Sequence, residues 1–183
     1  MVTATRGKER KLICNPEEHP DTEYIRIPQP DDFGSVGADF LVAKDLTAIG
    51  VSLMDHYEAQ FAHLRKLHIV YAWKRAGGAS NGNSTLGKCI KSSGLTKFFS
   101  DSDFVIWLAA DHLREVNRGN AATFWQIEAL VYHEMMHAQV NDQGAPTMRG
   151  HDFEGFGKEI SEYGAWDESA EIIRVAFKQL DLL

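Results

Sequence analysis

Residues 123–141, TFWQIEALVYHEMMHAQVN, constrain the fold more tightly than any other part of the chain. Thr123 followed by Gln126 fits the capping-box pattern, which opens a helix by satisfying two of its unpaired backbone N–H groups. The glycine and proline of the NDQGAPTMRG that follows stop one, so a helix from residues 120–123 to about Asn141 is expected. Leu130, Val131 and Met135 or Met136 are its candidates to face a core. His133 and His137, four apart, sit one turn above each other on a single face. Such a helix needs a layer to pack against.

The segments before it supply that layer. LHIVYAW (67–73) is rich in β-formers and runs into the turn-rich RAGGASNGNS. LGKCIKS (86–92) reads as a second strand and DFVIWLA (103–109) as a third, buried one, with DHLREV after it as a short helical turn. Upstream, residues 36–66 carry a helical stripe of Phe40, Leu41, Leu46, Ile49, Leu53, Tyr57, Phe61 and Leu64, which Gly50 is expected to divide into two helices. Downstream, Phe153, Phe156, Ile160 and Tyr163 form another stripe, and a last helix covers 168–180. Strands grouped between helices predict a small α+β domain, with a short mixed or antiparallel sheet packed on the 123–141 helix, rather than a doubly wound α/β one. Residues 1–35 mix charges with prolines and read as an extended or partly disordered arm with at most a short strand around EYIRI, leaving 36–183 as a single domain.

Charge and composition exclude some functions. No apolar run approaches the ~20 residues that span a bilayer, and the basic N-terminus lacks the apolar stretch of a secretory signal. Cys14 and Cys89 lie far apart without metal-type spacing and read as reduced thiols of an intracellular protein. A net charge of −7 argues against a nucleic-acid coat. Residues 64–100 nevertheless hold seven basic residues (Arg65, Lys66, Lys74, Arg75, Lys88, Lys91, Lys97) and no acidic one. Either they solvate strand faces and blunt a sheet edge, which is the preferred reading, or they meet phosphates or an acidic partner. Nothing in the sequence speaks to oligomeric state.

The histidine helix carries the chemistry. His133 and His137 can both present an imidazole nitrogen to one Zn²⁺. Glu134, rotated by about 100° from His133, stands beside the metal rather than on it, where it can take a proton from a metal-activated water. Two ligands leave an open catalytic site incomplete. His151, beyond the loop containing Gly144 and Pro146, is the preferred third, with Glu154 the alternative and Asp152 or Glu154 an outer hydrogen-bond acceptor. His19, His56, His63 and His68 receive no role.

YHEMMHAQ followed by GHDFEGFGKEISEYGAW resembles the family named putative phage metallopeptidase. More broadly it is similar to minimal zincins of the SprT-like type. SDFVIWLAADHLRE is similar to the strand and turn before that family's active helix, so the resemblance covers residues 67–166. It implies a zincin-like fold, His133, His137 and His151 as zinc ligands, Glu134 as general base, and action inside a bacterial host. Gly155 stands where the family carries an acidic residue. The resemblance further implies a protein or peptide substrate bound as an extended strand against a sheet edge within residues 86–109. A second donor for the transition-state oxyanion is needed. Tyr163 and Trp166 read as packing residues, because twelve helical residues put Tyr163 about 18 Å from His151; His112 and Arg149 are the candidates. Two alternatives stand beside this. One is a zinc-containing binding or anti-defence protein that uses residues 64–100; the other is a structural zinc closed by a fourth ligand such as Glu154.

Overall fold

The computed structural model describes residues 25–34, 38–80, 83–151 and 162–163. Cys14, His19, Asp152, Glu154, Gly155, Trp166, the stripe through Phe153, Phe156 and Ile160, and the expected helix at 168–180 lie outside the described residues. In chain order the elements are β1 (Phe40–Val42), α1 (Lys44–His56), α2 (Glu58–Phe61), β2 (Ile69–Lys74), β3 (Ala79–Ser80), β4 (Asn83–Ser84), β5 (Gly87–Lys91), α3 (Leu95–Ser100), β6 (Phe104–Ala109), α4 (Ala110–Glu115), α5 (Phe124–His137), β7 (Ala138–Val140) and β8 (Pro146–Met148). Short 3₁₀ turns occupy Pro30–Phe33 and Ala62–Lys66.

The principal sheet has the order β1-β2-β6-β5. β2 and β6 run parallel, while β1 and β5 pair antiparallel on either side. Alternate residues of a strand share a face, and one face collects Tyr71 and Trp73 of β2, Phe104, Ile106 and Leu108 of β6, and Cys89 of β5, all buried. Onto it pack Leu46, Ile49 and Leu53 of α1 and Ile127, Leu130, Val131 and Met135 of α5 in one contiguous core. The fold is a small α+β, zincin-like domain with a mixed sheet, as the sequence leads one to expect.

Helix α5 begins at the capping box: Gln126 N–H donates to Thr123 Oγ1 at 3.3 Å, and Thr123 N–H donates to Gln126 Oε1 at 3.0 Å. Its end differs from expectation. The helix stops at His137, not near Asn141, and Ala138 is already extended. Here tertiary pairing overrides helical continuation: Ala138–Val140 pairs antiparallel with Pro146–Met148. Asn141 Oδ1 accepts from the N–H groups of Gln143 and Ala145, and Gly144 supplies the positive φ of 76° that closes the turn.

Two features upstream also depart from the sequence reading. Phe40 and Leu41 belong to strand β1 and not to a helix, because their backbone completes the edge of β2 through the pairs Phe40↔Lys74 and Leu41↔Trp73. The helical stretch breaks at Tyr57, while Gly50 lies inside α1. A Cβ at Gly50 would stand 2.3 Å from the Tyr71 hydroxyl, so the glycine provides space and not a break. Gly50→Ala is expected to cost about 1–3 kcal/mol by overpacking. Adding Tyr71→Phe, which removes that oxygen, should recover part of the loss in chemical denaturation. Additive effects would show that the two sites do not meet.

Residues 25–29 are irregular rather than strand, yet Ile27 and Phe33 are buried in the core. Of the basic residues at 64–100, Arg65, Lys66, Lys88, Lys91 and Lys97 are exposed, and Lys74 and Arg75 are half-buried. Arg65 pairs with Asp55 at 2.7 Å and Lys97 with Asp103 at 2.6 Å. Lys74 lies over the Trp107 ring, and Arg75 donates to the Ala38 carbonyl. No helix among the described residues is long and apolar enough to cross a membrane.

Candidate metal centre

Helix α5 is buried on nearly every side. From Ile127 to Met136 each residue except His133 is buried, and His133 and His137 are the partly exposed residues of its C-terminal half. A helix apolar all round belongs in a core, so histidines at two positions on one face mark the place where that core opens.

The β7–β8 hairpin brings the third histidine back to this face. Arg149 N–H donates to the His137 carbonyl at 2.8 Å, and the Arg149 carbonyl lies 2.8 Å from His137 Nδ1. A carbonyl only accepts, so Nδ1 carries the proton and Nε2 the lone pair. Two residues later, His151 Nε2 lies 3.1 Å from His133 Nε2. One nitrogen from each of His133, His137 and His151 falls within 4.8 Å of the others, and among the described residues no further side chain joins the group. Burial holds the His137 imidazole below the usual histidine range, with the charges of His133 and Arg149 adding to the effect and the Arg149 carbonyl opposing it. The neutral form is the one that ligates metals.

The donor set suits a divalent transition metal. Two nitrogens each ~2.0–2.1 Å from one tetrahedral Zn²⁺ stand about 3.3 Å apart, close to the 3.1 Å between His133 and His151. The Nδ1–H···O=C bond of His137 is the type of outer hydrogen bond that fixes a ligating imidazole.

Glu134 is 4% exposed, and its carboxylate faces strand β5. A Cβ at Gly87 would lie 2.9 Å from Glu134 Oε1. Burial, followed by the nearby Glu134 charge, pushes the Cys89 thiol up, which keeps this free, buried cysteine protonated and inert. β5 forms one edge of the principal sheet, and β8 lies beside it.

The other candidates are placed differently. His112, on α4, lies 3.6 Å from Asp111 and lines a cavity of about 500 Å³ with Leu86 and Glu115; it is not among the converging nitrogens. Arg149 is a neighbour of the cluster through its backbone and its charge. Tyr163 is a core residue, 4% exposed, and its hydroxyl donates to Glu128 Oε1 at 3.2 Å. Burial and the Glu128 charge push the Tyr163 pKa well up. Sequence reasoning missed Glu128, which fastens residue 163 to the helix that bears the cluster. An acid inside the apolar run IEALV was the available signal, since a buried carboxylate requires a partner.

A mixed sheet backed by a buried HExxH helix, with a third histidine returned by a hairpin, defines a small zincin-like domain with a metal-competent histidine triad. The chain belongs to the family described as putative phage metallopeptidase, whose pattern matches residues 38–178. That match takes in β1, α1 and α2, which lie before the motifs that carry the resemblance in the sequence. The family implies a metal and protein or peptide substrates. Comparison with curated proteins and with solved structures finds no match.

Proposed function

We propose that the protein is a zinc-dependent metallopeptidase in which His133, His137 and His151 hold the metal and Glu134 is the general base. The convergence of three imidazole nitrogens, with the buried Glu134 next to His133 in the same helix, carries this reading. A bound Zn²⁺ would supply a Lewis acid that polarises the scissile carbonyl and brings the pKa of a water to ~7. Glu134 then accepts the proton of the attacking water and returns it to the leaving amine. Its carboxylate, sealed between α5 and β5, acts in a site of low dielectric where such transfers and charge contacts are strengthened.

The substrate binds as an extended strand along the outer edge of β5, whose ladder groups on that side make no pair among the described residues. Main-chain hydrogen bonds supply affinity there. Arg149 is favoured over His112 as the second oxyanion donor, since its backbone is hydrogen-bonded to His137 while His112 lies outside the converging group. Asp152 and Glu154 are candidate outer partners of the ligands.

Cleavage of an unfolded protein by the zinc-loaded chain tests the reading. Activity should vanish on chelation and return with one equivalent of zinc per chain. Cleavage that is indifferent to the chelator would exclude the mechanism.

A further inference from the structure

We propose that Gly87 is a positioning residue for Glu134: the side chain it lacks leaves the notch in the edge strand where the carboxylate sits. Glycine inside a strand weakens it and often marks a close approach of other atoms. Gly87 lies in β5, and it is not among the glycines whose φ is positive, so its backbone does not require glycine. Space does. A Cβ there would stand 2.9 Å from Glu134 Oε1, 3.3 Å from Glu134 Cδ and 2.9 Å from Leu108 Cδ2.

The atoms met are the ends of the Glu134 and Leu108 side chains, so an added Cβ displaces those ends and not the backbone that carries them. Glu134 projects from a helix whose neighbouring residues Tyr132, Met135 and Met136 are at most 1% exposed. β5 is held by a continuous register with β6, Gly87 pairing with Leu108 and Lys88 with Trp107. The carboxylate therefore rests against strand backbone at the sheet edge. On the reading of the preceding section, on which this inference depends, a peptide added to β5 presents its main chain at that same edge. The notch thus fixes the proton acceptor relative to both the histidine cluster and the bound strand.

Gly87→Ala tests this. Displacing a catalytic group by about 1 Å can cost on the order of 10²-fold. The variant is expected to lose about 10–100-fold in kcat, with KM and zinc content unchanged. In a Glu134→Gln background the same change should have no further effect on residual cleavage, because the group being positioned no longer takes a proton. Melting of the metal-free protein gives a second readout. Gly87→Ala should lower the melting temperature by several degrees, and a clear part of that loss should disappear when Glu134 is alanine, the Leu108 contact accounting for the rest.

A wild-type kcat for Gly87→Ala, an equal loss in the Glu134→Gln background, or additive melting shifts would each overturn the role. Should alanine alone prevent folding, Gly87→Ala combined with Leu108→Val removes the other close contact and must show the same coupling to Glu134. If the zinc-loaded wild type cleaves nothing, the peptidase reading fails, and the melting cycle still decides whether Gly87 seats Glu134.

Discussion

Glu134→Gln is expected to lower kcat for peptide hydrolysis about 10²- to 10⁴-fold, the usual contribution of a positioned acid–base group, while zinc content stays at one per chain. The amide keeps the shape of the carboxylate, so the buried seat between α5 and β5 stays filled. What it loses is the ability to accept a proton. Metal analysis beside steady-state kinetics separates the two roles. Loss of activity together with loss of metal would make Glu134 part of the binding set, and full activity would remove it from the mechanism.

His137→Ala is the second large effect. It takes one of three convergent nitrogens and also the Nδ1–H that the Arg149 carbonyl accepts at 2.8 Å. Loss of an outer hydrogen-bond partner alone typically costs ~10–100-fold in metal affinity, and removal of the ligand should cost more than that. Zinc affinity measured by competition with a chelator should fall beyond this range, and hydrolysis should fall with it. His63→Ala is the control. His63 Nε2 meets the Ala138 carbonyl just past the end of α5 but lies outside the cluster, so its replacement should leave zinc affinity unchanged. Equal losses in both variants would point to damage of the helix end and not to removal of a ligand.

The parts of this molecule legible in its sequence are those set by local chemistry. The start of α5 could be read because a capping box is a hydrogen-bond pattern within four residues, and Thr123 and Gln126 make both of its bonds. The pairing of His133 with His137 could be read because helical pitch alone stacks residues four apart. Strands β2, β5 and β6 could be read from short β-rich runs bounded by turn residues.

What escaped depends on partners distant in the chain. β1 exists because Phe40–Val42 finds partners in β2 thirty or more residues later, and nothing local separates it from the helical stripe that follows. Gly50 resembles a helix breaker by composition, yet it marks where the Tyr71 hydroxyl presses on α1. The end of α5 has no local signal because β7 needs β8, and that hairpin also returns His151 to its place beside His133. The pairing of Glu128 with Tyr163 spans 35 residues. Gly87, small and unremarkable in a strand, shows its relation to Glu134 only once α5 and β5 lie side by side.

X-ray absorption at the zinc edge on the purified, zinc-loaded protein tests the central claim most directly. One zinc per chain with three imidazole nitrogens at ~2.0–2.1 Å and one exchangeable oxygen, reduced to two imidazoles in His151→Ala, is the predicted result. A coordination sphere closed by four protein ligands, or one that keeps its imidazole count without His151, would contradict an open catalytic centre built from His133, His137 and His151.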